Sequence, residues 1–177
     1  MRLAGCLAAL LLTTPVAFVV AAELPAAPAK LQKDGEGWTG YIVPPYPSGW
    51  REQSGGCIGS VDDPGGPCHH SIAVIADAQS GMRMILGLEN MKTFGNDPVW
   101  RIVAALESDA LFDAGVDAVH GTCQLRGVED GSVVAIVRRE AREWLPAQEA
   151  WRFDPYAGRF APLRNADVRC ANEGFGE

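Results

Sequence analysis

The stretch NDPVWRIVAALESDA, residues 96–110, carries the strongest helical signal in the chain and sets the expected fold class. Asn96 or Asp97 suits an N-cap, Pro98 suits a first turn, and Val99, Ile102, Val103, Leu106 and Ala110 recur at helical spacing. Arg101, Ala105 and Ser108 fall on the opposite side. The reading is an amphipathic helix of about three turns, too short to be stable alone and therefore expected to lie across one face of a sheet.

On the N-terminal side of this segment the texture is that of strands. SIAVIADA at 71–78 is a short apolar run, and MRMILGLE at 82–89 alternates, with Met82, Met84, Leu86 and Leu88 on one face. AQSG at 78–81 supplies the turn, so the two predict a hairpin. On the C-terminal side, VDAVHGTCQLR at 116–126 reads as one strand, with Val119, Cys123 and Leu125 on one face and His120, Thr122, Gln124 and Arg126 on the other. VVAIVRR at 133–139 is apolar on both sides until its basic end, as a central strand would be. REAREWLP at 139–146 leans towards a helical turn ended by Pro146. AWRFD and RFAPL, joined by PYAG at 155–158, form the clearest hairpin signal, and ADVRC at 166–170 closes the set. The expected fold is α+β: a single domain with a curved, mainly antiparallel sheet, one principal helix packed on it and two disulfides.

The chain has 177 residues and a formal net charge of −7. Arg2 precedes an apolar run from Leu3 to Val20, and Val20 and Ala22 occupy the small-residue positions of a cleavage site after Ala22. Residues 1–22 therefore read as a secretory signal peptide, which places the protein in the periplasm or outside the cell and leaves no stable membrane span after processing. Residues 23–37 read as a flexible leader and 38–177 as the folded domain. Removing 22 residues from 177 leaves 155, and the loss of Arg2 takes the charge to −8. That field argues against nucleic acid as a partner, since phosphate binding needs a basic surface.

Cys6 leaves with the leader, so Cys57, Cys68, Cys123 and Cys170 remain, an even number suited to an oxidising compartment. Sequence allows three pairings. Cys57 with Cys68 is favoured, because the intervening IGSVDDPGGP is turn-forming, and Cys123 with Cys170 then ties the ends of the last set of strands.

Candidate contact residues lie upstream. Trp38, Tyr41, Tyr46 and Trp50 are spaced by prolines and glycines in WTGYIVPPYPSGW, which reads as an extended cover over an apolar surface or as the lining of a ligand groove. Asp62 and Asp63 charge the loop that the first disulfide closes, and His69 and His70 stand just beyond it. No catalytic motif is present: there is no G-x-S-x-G elbow, Cys-x-x-Cys pair, phosphate loop or paired-histidine zinc motif. His69, His70 and His120 lack the spacing that would fix metal ligands on one face, so neither metal nor cofactor is expected. These features predict an exported binding or inhibitor-like domain that contacts a protein or cell-envelope ligand. Two alternatives stand beside it: a small periplasmic hydrolase of envelope carbohydrate or peptide drawing on Glu52, Asp62, Asp63, His69 and His70, and a structural or dimerising envelope protein. Oligomeric state is not readable from the sequence.

Overall fold

The computed structural model describes residues 36–59, 68–94 and 97–176. Residues 1–22, read above as a signal peptide, nearly all of the segment read as a leader, and Asp62 and Asp63 lie outside the described residues.

Strands β1 (Ile42–Val43), β2 (Trp50–Cys57), β3 (His70–Asp77), β4 (Arg83–Phe94) and β5 (Asp97–Leu106) form one sheet in the order β1-β5-β4-β3-β2. The second sheet holds β6 (Val116–His120), β7 (Cys123–Leu125), β8 (Val128–Glu129), β9 (Val133–Arg138), β10 (Trp144–Asp154), β11 (Arg159–Pro162) and β12 (Val168–Ala171). Its order is β6-β9-β10-β12-β7-β8, with β11 sharing a flank of β10 with β12. Every pairing in both sheets is antiparallel.

The expected α+β architecture is overturned. Among the described residues the only helical elements are three 3-10 turns of three or four residues each. The segment read as the principal helix is β5, and its register explains the misleading spacing. Ala104 lies opposite Gly87 and Ile102 opposite Leu88, so Val103 is an extra, bulged residue. The bulge puts Ile102 and Ala105 on the same face, three residues apart as in a helix, while Ala104 and Leu106 face the other way. Both faces are covered, so the strand is apolar on two sides. β-Branched Val99, Ile102 and Val103 suit that pleated setting better than a helix interior.

The helical turn expected near 139–146 is also absent. Trp144 begins β10, and Pro146 sits inside the strand. Asn172 N–H donates to the Glu143 carbonyl, which makes 143/172 and 145/170 the bonded pairs with β12. The Pro146 nitrogen therefore points to the opposite flank, where pairing with β9 begins only at Ala147. The single strand expected over 116–126 is two: Gly121, at φ 80°, turns the chain between β6 and β7, which pair with different neighbours.

Three apolar layers result. The outer face of the first sheet buries Ala73, Ile75, Met84, Leu86, Leu88 and Ile102 under Trp38 and Val43, with Tyr41, Tyr46 and Trp50 packed against them. Residues 44–49 run from β1 at one edge to β2 at the other. The Pro-rich segment is thus a strap across this face.

Between the sheets, Ile72, Val74, Ile85 and Ala104 meet Val116, Val134, Ile136 and Phe153. The third layer lies inside the curl of the second sheet, where Val133, Ala135, Val137, Leu145, Ala150 and Val168 pack around the Cys123–Cys170 disulfide, which links directly opposed residues of β7 and β12. β9 is buried on both faces between β6 and β10, so the second sheet forms a half-barrel. The second disulfide joins Cys57 to Cys68.

Candidate functional site

One edge of the first sheet is β2, and one edge of the second is β6. The two stand at the same mouth of the sandwich, where a cleft of ≈ 830 Å³ opens. A bulge in β2 positions its first functional side chain. Glu52 lies opposite Ile75 and Ser54 opposite Val74, leaving Gln53 extra. In a regular strand Ser54 would share the outer face with Glu52. The extra residue turns Ser54 inward instead, to the face of Val74 and the cleft.

Ser54 Oγ lies 3.1 Å from His120 Nε2, a hydrogen bond that joins the two sheets across the mouth. The His120 ring stacks over Gly56, where an added Cβ would come within 3.4 Å of Cε1. Glu52 turns to the outer face and folds over Gly55, whose missing side chain makes room: a Cβ there would sit 2.5 Å from Oε1. Its other oxygen accepts a 2.5 Å hydrogen bond from Tyr46 Oη. Burial, followed by this hydrogen bond and the Glu52 charge, raises the Tyr46 hydroxyl well above the usual phenol range. Burial lowers the His120 pKa, partly opposed by the charges of Glu173 and Glu52, and favours a neutral imidazole.

The rest of the cleft is set by the second sheet. Arg139 holds Asp117 through a two-pronged ion pair, and Arg83 reaches from β4 to the carbonyls of Val116 and Leu111. The Thr122 hydroxyl is buried beside the cleft with no hydrogen-bond partner among the described residues.

Register also fixes which backbone groups face the opening. Ile58 N–H donates to the His70 carbonyl, so the bonded pairs along β2 and β3 are 58/70, 56/72 and 54/74. The N–H and C=O groups of Gly55 and Cys57 consequently point away from the sheet. By the same reasoning Arg139 N–H, donating to the Gly115 carbonyl, leaves Ala118 and His120 turned outwards on β6.

The residues singled out in the sequence do not converge on this cleft. Trp38 is 1% exposed and packs edge-on to Trp50, their ring centroids 5.1 Å apart. Tyr41, Tyr46 and Trp50 are half-buried in the same outer layer. His69 is exposed, and His70 is half-buried beside the ring of Tyr156, with its pKa lowered by burial and by His69 against the pull of Glu89. Trp50 lies opposite Asp77 and His70 begins the same strand, so the aromatics and the histidines stand at opposite ends of β3, roughly 23 Å apart at about 3.3 Å per residue. Sequence reasoning missed Ser54, Thr122 and Glu173 as site residues. It noted His120 without a partner on β2. The one local sign was Ser54-Gly55-Gly56 in a strand setting, where glycines mark a bulge or a close approach.

Among the described residues no group of three or more His, Cys, Asp or Glu side chains is placed to hold a metal ion. No helix there is long and apolar enough to cross a membrane. Fold and site define a two-sheet antiparallel β protein with one half-barrel sheet and a cleft between one edge strand of each sheet. No family model, curated protein or solved structure matches the chain.

Proposed function

We propose that the protein is an exported binding domain that takes an extended peptide segment of a protein ligand in the cleft between β2 and β6. The observation that carries this reading is the pair of facing open edges. Gly55 and Cys57 on one side, and Ala118 and His120 on the other, present donors and acceptors that are unpaired among the described residues, at the spacing of a strand backbone. A peptide backbone satisfies such groups by strand addition, and side chains alternating into the cleft give selectivity. Edges are usually blunted against adventitious pairing. Arg51, Glu52 and the Gln53 bulge do this over the first half of β2, whereas the Ser54–Cys57 half carries no charge. Two disulfides and the signal-like leader support action outside the cytoplasm.

The test is selection of binders from a displayed linear-peptide library on the oxidised protein, followed by hydrogen exchange with the selected peptide bound. Slowed exchange at the amides of Gly55, Cys57, Ala118 and His120 is the expected result. Protection confined to other surfaces would show that the cleft is not the peptide site.

A further inference from the structure

We propose that Ser54 is a nucleophile served by His120 as general base, and that the cleft hydrolyses carboxylic esters. The inference rests on the cleft being a ligand site and adds chemistry to it. A nucleophilic serine needs a neutral imidazole within hydrogen-bond reach, an acyl-accessible hydroxyl, and a donor for the oxygen on which charge develops.

All three are present at one place. Ser54 Oγ is exposed at the cleft and 3.1 Å from His120 Nε2. The imidazole lies close to Gly56, where an added Cβ would be 3.4 Å from Cε1 and 3.5 Å from Nδ1, so the β2 backbone forms one wall beside the ring. Gly55 N–H, the amide directly after the serine, points to the open edge and has no partner among the described residues. The bulge at Gln53 supplies the remaining condition, because without it the hydroxyl would be on the wrong face of the sheet.

In the acylation step Ser54 Oγ bonds to the ester carbonyl carbon while its proton passes to His120 Nε2. The bond from that carbon to the alcohol oxygen then breaks, and the alcohol leaves with the proton from His120. Water, deprotonated by His120, next attacks the Ser54 ester, which releases the carboxylic acid and restores the hydroxyl. Esters are assigned over amides because the His120 ring has no hydrogen-bonded carboxylate behind it among the described residues. Glu173 and Glu52 act on it through charge alone, and an alcohol needs less protonation to depart than an amine does.

The oxidised protein is treated with a fluorophosphonate and digested for peptide mapping, and its turnover of p-nitrophenyl acetate is followed from pH 5 to 8. One phosphonyl group on Ser54 is expected, together with ester hydrolysis that falls as pH drops through the His120 pKa, which burial holds below the ordinary 6.5. Ser54→Ala removes both signals. His120→Gln lowers labelling and turnover about 100-fold or more, the usual range for loss of a general base. Each variant's thermal melt is recorded to establish folding. Absence of label on Ser54 in the unaltered protein, or equal rates for His120→Gln, would overturn the assignment. Labelling does not require a bound peptide, so a blank result leaves the peptide reading standing, while labelling without any selected peptide removes that reading alone.

Discussion

Replacing Gly87 by alanine tests the packing between the two sheets at its tightest point. Gly87 faces inward from β4, and the ring of Phe153 lies directly over it. A Cβ there would stand 2.3 Å from Cε2, 2.5 Å from Cζ and 2.8 Å from Cδ2. Ordinary contact begins at 3.4 Å, so the nearest ring atom is roughly 1.1 Å too close. Phe153 is 1% exposed, with Phe160 centred 5.1 Å away, and has little free space to retreat into. Overpacking of this kind costs about 1–3 kcal/mol. The loss of glycine's freedom in the unfolded chain offsets about 0.5 kcal/mol of that. The expected net loss is about 2 kcal/mol, which lowers Tm by about 6–8 °C for a fold of this size. Urea titration of the disulfide-intact protein, read by tryptophan fluorescence, measures the difference. Phe153→Leu in the same molecule removes the clashing ring atoms, so the double variant should be more stable than the sum of the single effects by about 1 kcal/mol or more. Gly87→Ala within about 0.5 kcal/mol of the parent, or a strictly additive double variant, would refute the packing argument.

Two further outcomes follow from the disulfides and from burial. The Cys123–Cys170 bridge spans 47 positions and Cys57–Cys68 spans 11. Loop-closure entropy therefore gives about 4 kcal/mol for the first and about 3 kcal/mol for the second, and the double alanine variant at 123 and 170 should show the lower urea midpoint of the two pairs. His120 and His70 both have pKa values lowered by burial in the folded protein. The unfolded chain therefore binds more protons below about pH 6.5, and stability is complete above that value and declines as pH falls beneath it. The urea midpoint should drop between pH 7 and pH 5, and His120→Gln should flatten the slope; an unchanged slope in that variant would assign the effect elsewhere.

Much of the strand layout was legible where local pattern and tertiary setting agree. The β3–β4 hairpin shows period-two alternation closed by a turn, the apolar run of β9 matches its place between two neighbours, and PYAG joins β10 to β11. β5 misled because one extra residue at Val103 converts strand alternation into helical spacing, and such a bulge is fixed by the partner strand, not by its own sequence. Near 139–146 the charge spacing suggested a helical turn. Arg139 instead pairs with Asp117 on β6, and Glu140 with its near neighbour Arg142. The cleft was the least legible part. Ser54 and His120 are 66 positions apart, and the facing of Ser54 depends on the second bulge, at Gln53.

Each sheet is built from one continuous half of the chain, with β1 to β5 before residue 107 and β6 to β12 after residue 115. Each disulfide likewise belongs to one half: Cys57 with Cys68 in the first, Cys123 with Cys170 in the second. The native pairing is therefore the order of appearance. If the chain is exported and processed as proposed, its remaining cysteines emerge in the order 57, 68, 123 and 170, and an oxidant that joins each new thiol to the unpaired one before it reaches these bonds without later reshuffling. Vectorial oxidation and the native topology coincide, and errors of connectivity require the first half to wait, still reduced, for the second.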